Sequence, residues 1–146
     1  MNTDILFWRS YPINGGDFDK AGDVSSQIKS ILKELGVDRN IVRRVAIATF
    51  EAEMNVVIHA RSDGQVKLSL TMQDILLEVT DDGRGIEDIE QAMQEGWSTA
   101  TDQMREMGFG AGMGLPNIKK NTDEMRISSE LGKGTKLDLR IHHKMS

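Results

Sequence analysis

Three side chains capable of chemistry recur at four-residue steps in this sequence: Glu51, Asn55 and His59. On an α-helix that spacing puts them on one face, a turn apart. Their neighbours Ile47, Ala48, Phe50, Met54, Val57 and Ile58 are apolar and cover more than one stripe, so the helix is expected to be largely buried. A carboxylate, an amide and an imidazole in that setting need polar partners. A ligand carrying a metal ion would supply them, and so would water at a partly exposed helix face.

A second constellation follows at Val79-Thr80-Asp81-Asp82-Gly83-Arg84-Gly85-Ile86. A carboxylate at the end of a strand can accept a hydrogen bond from an exocyclic amine such as that of adenine, and glycines beside it let backbone approach a flat ring. An ordinary Asp-Gly turn would use the same residues. The third is Gly108-Phe109-Gly110-Ala111-Gly112-Met113-Gly114-Leu115-Pro116-Asn117, alternating glycines that open a predicted helix. Free N–H groups at a helix start attract anions, phosphate above all. Pro116 suits a first helical turn because the N–H it lacks has no partner there. The fourth, Gly132-Lys133-Gly134-Thr135, read alone is a hairpin turn. The Walker loop, Gly-x-Gly-x-x-Gly, His-Glu-x-x-His and Gly-x-Ser-x-Gly patterns are all missing.

The elements that must position these residues follow from periodicity. A β-prone segment runs from Ile5 to about Ile13, and Asp17 is placed to cap the helix after it. Ala21, Val24, Ile28, Ile31, Leu32 and Leu35 then recur at helical spacing, closed by Gly36. Asp38 caps a second helix reaching about Ala60. Val66 to Met72 and Ile75 to Thr80 alternate as a hairpin. A short helix is expected from Ile86 to Glu95, a loop from Gly96 to Gly114, and a helix from Leu115 to about Thr122. Strands around Met125–Ser129 and Lys136–Ile141 end the pattern. Strand, two helices, hairpin, loop, helix, hairpin predicts a two-layer α/β sandwich, its sheet mixed but mostly antiparallel, with helices on one face.

Composition narrows the partners. The 146 residues suit one domain, 1–146. With 23 acids against 18 bases the net charge is −5, and clustered basic residues are missing, so nucleic-acid binding is not expected. The lack of cysteine rules out thiol chemistry and fits a reducing compartment. No basic leader or membrane-length apolar run is seen, which points to the cytoplasm and away from a membrane.

Taken together and in this order, Glu-x3-Asn-x3-His, Asp-x-Gly-x-Gly-Ile, Gly-x-Gly-x-Gly-Leu and Gly-x-Gly-Thr resemble the nucleotide-binding boxes of the GHKL (Bergerat-fold) ATPase superfamily, from about Asp38 to Ile141. Within it the chain resembles the anti-sigma factor and stressosome switch kinases: a short, free-standing domain is expected, Glu51 precedes Asn55, and Gly-Met-Gly-Leu-Pro-Asn-Ile-Lys-Lys and Ser-Glu-Leu-Gly-Lys-Gly-Thr look like the corresponding segments of those kinases. The resemblance implies that ATP and Mg²⁺ are bound. Asn55 would coordinate the metal, and Asp81 would accept from the adenine amine, with Gly83, Gly85 and Ile86 beside it and Thr135 supporting that corner. Gly110, Gly112, Gly114 and Leu115 would form a mobile lid over the phosphates, with His59 near them. Glu51 would be the general base for a serine or threonine of a STAS-type anti-sigma antagonist. A sigma factor or phosphatase as partner, and a homodimer, are further implications. Val56 stands where the family has a small residue and is expected to crowd the pocket slightly.

Overall fold

The computed structural model describes residues 4–60, 62–83, 93 and 114–145, with the side chains of Phe18, His59 and Ala60 outside that description. Its elements are β1 (Phe7–Ile13), α1 (Asp23–Glu34), α2 (Arg39–Asn55), β2 (Gly64–Leu70), β3 (Asp74–Asp81), α3 (Gly114–Lys120), β4 (Glu124–Glu130) and β5 (Gly134–His142). The expected helix at Ile86–Glu95 and loop at Gly96–Gly114 lie outside the described residues, apart from Met93 and Gly114.

Five strands make one sheet in the order β1-β2-β3-β5-β4. Every described ladder is antiparallel, where the sequence pattern allowed a mixed sheet. The connections explain this. β2–β3 and β4–β5 are hairpins, and two helices rather than one separate β1 from β2, so the chain returns reversed instead of making a parallel crossover.

Alternation sorts the sheet into two faces. Val66, Leu68, Leu70, Ile75, Leu77, Val79, Leu137, Leu139 and Ile141 are buried with Val24, Ile28 and Leu32 of α1 and Val42, Val45, Ala48 and Ala52 of α2. Each large apolar side chain so buried contributes on the order of 1.5–3 kcal/mol. The opposite face carries charge: Arg140 bridges Asp74 at 3.0 Å and Glu124 at 2.9 Å, and Lys136 lies 3.9 Å from Glu78. These exposed pairs add little stability but keep that face wetted. Asp81 continues the Ile75, Leu77, Val79 alternation, so it stands on the helix-covered side at the strand's end.

Two helix boundaries differ from the periodicity. Asp17 does not cap α1. The chain makes a 3₁₀ turn at Phe18–Lys20 and turns again at Gly22, whose φ of 95° suits glycine. α1 then starts at Asp23 and receives its cap from another element. The Glu53 carboxylate of α2 accepts from Gly22 N–H (3.1 Å), Val24 N–H (3.2 Å) and Ser25 N–H (3.1 Å). Asp38 does cap α2, accepting from Asn40 N–H at 3.0 Å. That helix is α-helical only to Asn55, after which Val56–Ala60 winds as a π-helix. The buried run Val56-Val57-Ile58 lies in this wider turn, packed within the core.

Candidate functional site

α2 carries Glu51 and Asn55 one turn apart, both half-buried, on the side that meets α3. The Gly114 backbone lies against both: a Cβ on it would stand 3.0 Å from Asn55 Oδ1 and 3.6 Å from Glu51 Oε2. One residue from each of two constellations expected to meet a nucleotide's phosphates therefore touches the other. Leu115, next in the chain, is 6% exposed within the core and anchors α3 in this position.

The second corner forms where β3 ends. Asp81 is half-buried, and its carboxylate accepts from Gly83 N–H at 2.9 Å and from the Thr135 N–H. Asp81 and Thr135 are paired across the β3–β5 ladder. The Thr135 hydroxyl shares a 2.9 Å hydrogen bond with Ser129, which ties the corner to β4. Gly134 passes so close to the Asp81 carbonyl that a Cβ there would overlap its oxygen. An open cleft of about 420 Å³ lies at this end of the sheet, with Asp81, Ser129, Gly134 and Thr135 among its lining. A groove of about 520 Å³ on the open sheet face is lined instead by charged side chains such as Glu78, Glu124 and Arg140, which pair with their neighbours.

Gly64 joins the corners. A Cβ there would meet the Thr80 carbonyl, stand 3.0 Å from Val56 Cγ1 and 3.3 Å from Asp81 Cβ. The α2 end and the β3 end therefore converge on one glycine. Val56 is 2% exposed, and its bulk lies within the core against this glycine.

Burial is the main influence on both carboxylates. It pushes the Glu51 carboxyl above its usual 4.5, partly offset by a hydrogen bond from the Asn117 side chain. It likewise raises Asp81 above 3.8, and the two N–H donors pull the other way. A partly dehydrated carboxylate is a stronger acceptor and a stronger base.

Among the residues singled out in the sequence, Glu51, Asn55 and Gly114 come together, and Asp81, Gly83 and Thr135 come together. The π-helical backbone includes His59, but its side chain lies outside the description. Gly85, Ile86, Gly110 and Gly112 lie outside the described residues. Two residues received no role from the sequence. Glu53 sits two positions from Glu51 and so points away from it, towards α1; a second carboxylate in an apolar helix was the available signal. Asn117, which in the sequence only closes the glycine motif, reaches Glu51 from α3, a contact that local spacing does not mark.

Among the described residues no three His, Asp or Glu are grouped to hold a metal ion. No described helix is long and apolar enough to cross a membrane.

Residues 40–145 match the family model described as histidine kinase-, DNA gyrase B- and HSP90-like ATPase. The chain belongs to this ATPase family, and ATP is the ligand its fold takes. Two similar proteins sharpen the placement. An anti-sigma F factor of Clostridium acetobutylicum is 32% identical over 114 residues, 75% of this chain and 76% of the relative. The serine/threonine-protein kinase RsbT of Bacillus subtilis is 29% identical over 113 residues, 75% of this chain and 78% of the relative. Among solved structures, the RsbU and RsbW domains of Rv1364c from Mycobacterium tuberculosis superpose with a TM-score of 0.62 at 18% identity, covering 94% of this chain and 33% of that one. The mycobacterial sensor histidine kinase MprB gives 0.56 at 14% identity, covering 94% of this chain and 100% of that one. At such identities the likeness is one of fold.

Proposed function

We propose that this chain is an ATP-dependent serine/threonine protein kinase of the anti-sigma regulator type, acting as one cytoplasmic domain on a small STAS-type regulatory partner. The observation that carries this is the packing of Gly114 against both Asn55 and Glu51. It puts a partly dehydrated carboxylate one helical turn from an amide, at the start of the helix that follows the glycine run.

Phosphoryl transfer demands positioning and charge neutralisation more than covalent help from protein. Asp81 accepts from the adenine amine, held in place by Gly83 and Thr135, with Gly85 and Ile86 flanking the ring. Gly110, Gly112 and Gly114 bring backbone to the phosphates, and His59 lies near them. Asn55 holds Mg²⁺, which when bound neutralises charge building on the phosphates. Glu51 accepts the proton of the partner's hydroxyl. The hydroxyl oxygen bonds to the γ-phosphorus, the bond from that phosphorus to the β–γ bridging oxygen breaks, and ADP leaves.

Incubation of the purified protein with labelled ATP and candidate partner domains tests this reading. Glu51→Gln keeps ATP affinity within a few-fold while transfer falls by about 10²–10⁴, the usual worth of general-base help. Asn55→Ala loses Mg²⁺-dependent binding and transfer together. Full transfer by Glu51→Gln would remove the base from the scheme. A second reading is favoured by the anti-sigma name of the clostridial relative: a nucleotide-gated module that sequesters a sigma factor or activates a phosphatase. Wild-type protein that binds its partner in an ATP-dependent way without transferring phosphate selects that reading.

A further inference from the structure

The structure assigns Asn117 as a positioning residue for the base: its side-chain amide, delivered from α3, hydrogen-bonds the Glu51 carboxylate on α2 and holds it towards the acceptor hydroxyl. This rests on the kinase reading above and adds a residue to it.

The geometry is a two-point clasp. Gly114 and Asn117 are three apart, one turn of α3, and so share a face. Glu51 and Asn55 are four apart on α2. Gly114 lies against Asn55 and Glu51, and Asn117 donates to Glu51. α3 therefore sets the carboxylate and the neighbouring amide at once. Leu115 and Ile118, 6% and 0% exposed, each follow one of those contact residues in the chain and pin the same helix into the core.

The choice of side chain suits the task. A carboxylate offers about four lone-pair sites. The amide occupies one, leaves others free for a hydroxyl proton, and restrains the glutamate rotamer. A lysine or arginine here would hold Glu51 more tightly, but its charge would depress the carboxyl pKa and weaken the base. A neutral donor orients with a smaller loss of basicity. The influences on Glu51 are burial, which raises its pKa, and Asn117, which lowers it.

The test uses the full chain with Asn117→Leu, close in size but with no donor, and Asn117→Asp, which adds a like charge. Carboxyl ¹³C titration of Glu51 reads the contact without requiring activity. Its midpoint rises in Asn117→Leu and rises further in Asn117→Asp. With the phosphoacceptor present, transfer by Asn117→Leu falls about ten- to a hundredfold, the worth of a hydrogen bond to a charged group. The acid limb of kcat moves to higher pH, and ATP affinity stays within about twofold. A merely structural role would lower Tm and leave the titration and the limb where they were. An unmoved Glu51 midpoint in both variants overturns the contact, and a moved midpoint with wild-type transfer overturns its catalytic use. Failure of the kinase reading shows separately, as wild-type protein that binds its partner without transferring phosphate.

Discussion

Gly114 presses its backbone onto the Asn55 carboxamide, leaving room for a hydrogen where a Cβ would stand 3.0 Å from Oδ1. Gly114→Ala sets two effects against each other. Alanine favours a helix by up to about 1 kcal/mol over glycine, so Tm should hold or rise. The new methyl must displace Asn55 by a few tenths of an ångström, and a metal ion held by Asn55, as proposed above, would be shifted with it. Mg²⁺-dependent ATP affinity is expected to drop about tenfold, roughly 1.4 kcal/mol. Calorimetry with and without Mg²⁺ checks this, and equal losses in both would move the effect away from Asn55.

Asp81 accepts two N–H groups and retains capacity for a third donor. Asp81→Asn should cost about 1.5–3 kcal/mol of ATP affinity, the range for a charged hydrogen bond. Wild type should prefer ATP to GTP, because guanine presents a carbonyl where adenine presents an amine. Burial raises the Asp81 carboxyl above 3.8, so affinity should decline with acid at a higher pH than an unshifted aspartate would give. Titration calorimetry across acidic pH reads this limb, and it should vanish in Asp81→Asn.

Glu53 is 2% exposed and takes three N–H groups at the start of α1. Glu53→Ala should destabilise by about 2–4 kcal/mol, combining a lost cap with orphaned buried donors. Burial holds its folded carboxyl pKa above 4.5. The folded state therefore binds the proton more tightly than the unfolded one. The associated stability is fully present below 4.5 and is lost as pH rises through the folded value. Urea titrations should show the stability of wild type relative to Glu53→Gln shrinking over that window. A constant difference would place the shift elsewhere.

Gly134 has φ of 107° and runs against the Asp81 carbonyl. Gly134→Ala introduces left-handed strain and a collision with rigid backbone, and should cost about 2 kcal/mol or more. Since β5 must withdraw from the end of β3, ATP affinity should fall together with Tm, unlike in Gly114→Ala. Thermal melts paired with nucleotide titration separate the two glycines.

Periodicity and motif spacing were enough to place much of this protein. The order of elements, the Asp38 cap, the shared face of Glu51 and Asn55, and Asp81 at a strand end all follow from relations among residues a few positions apart. Such relations are legible because helices and strands repeat on that scale. What the fold alone decided involves groups far apart in sequence. Glu53 reaches Ser25 across 28 positions, Gly114 meets Asn55, Asn117 meets Glu51, and β5 inserts between β3 and β4. A cap normally comes from the residue before a helix, so local chemistry pointed to Asp17. The carboxylate in fact comes from a neighbouring helix, because burying the α1–α2 contact stranded three N–H groups that only an interior acceptor could satisfy. The π winding after Asn55 likewise depends on how Val56 and its β-branched neighbours pack against a sheet whose placement no local pattern records.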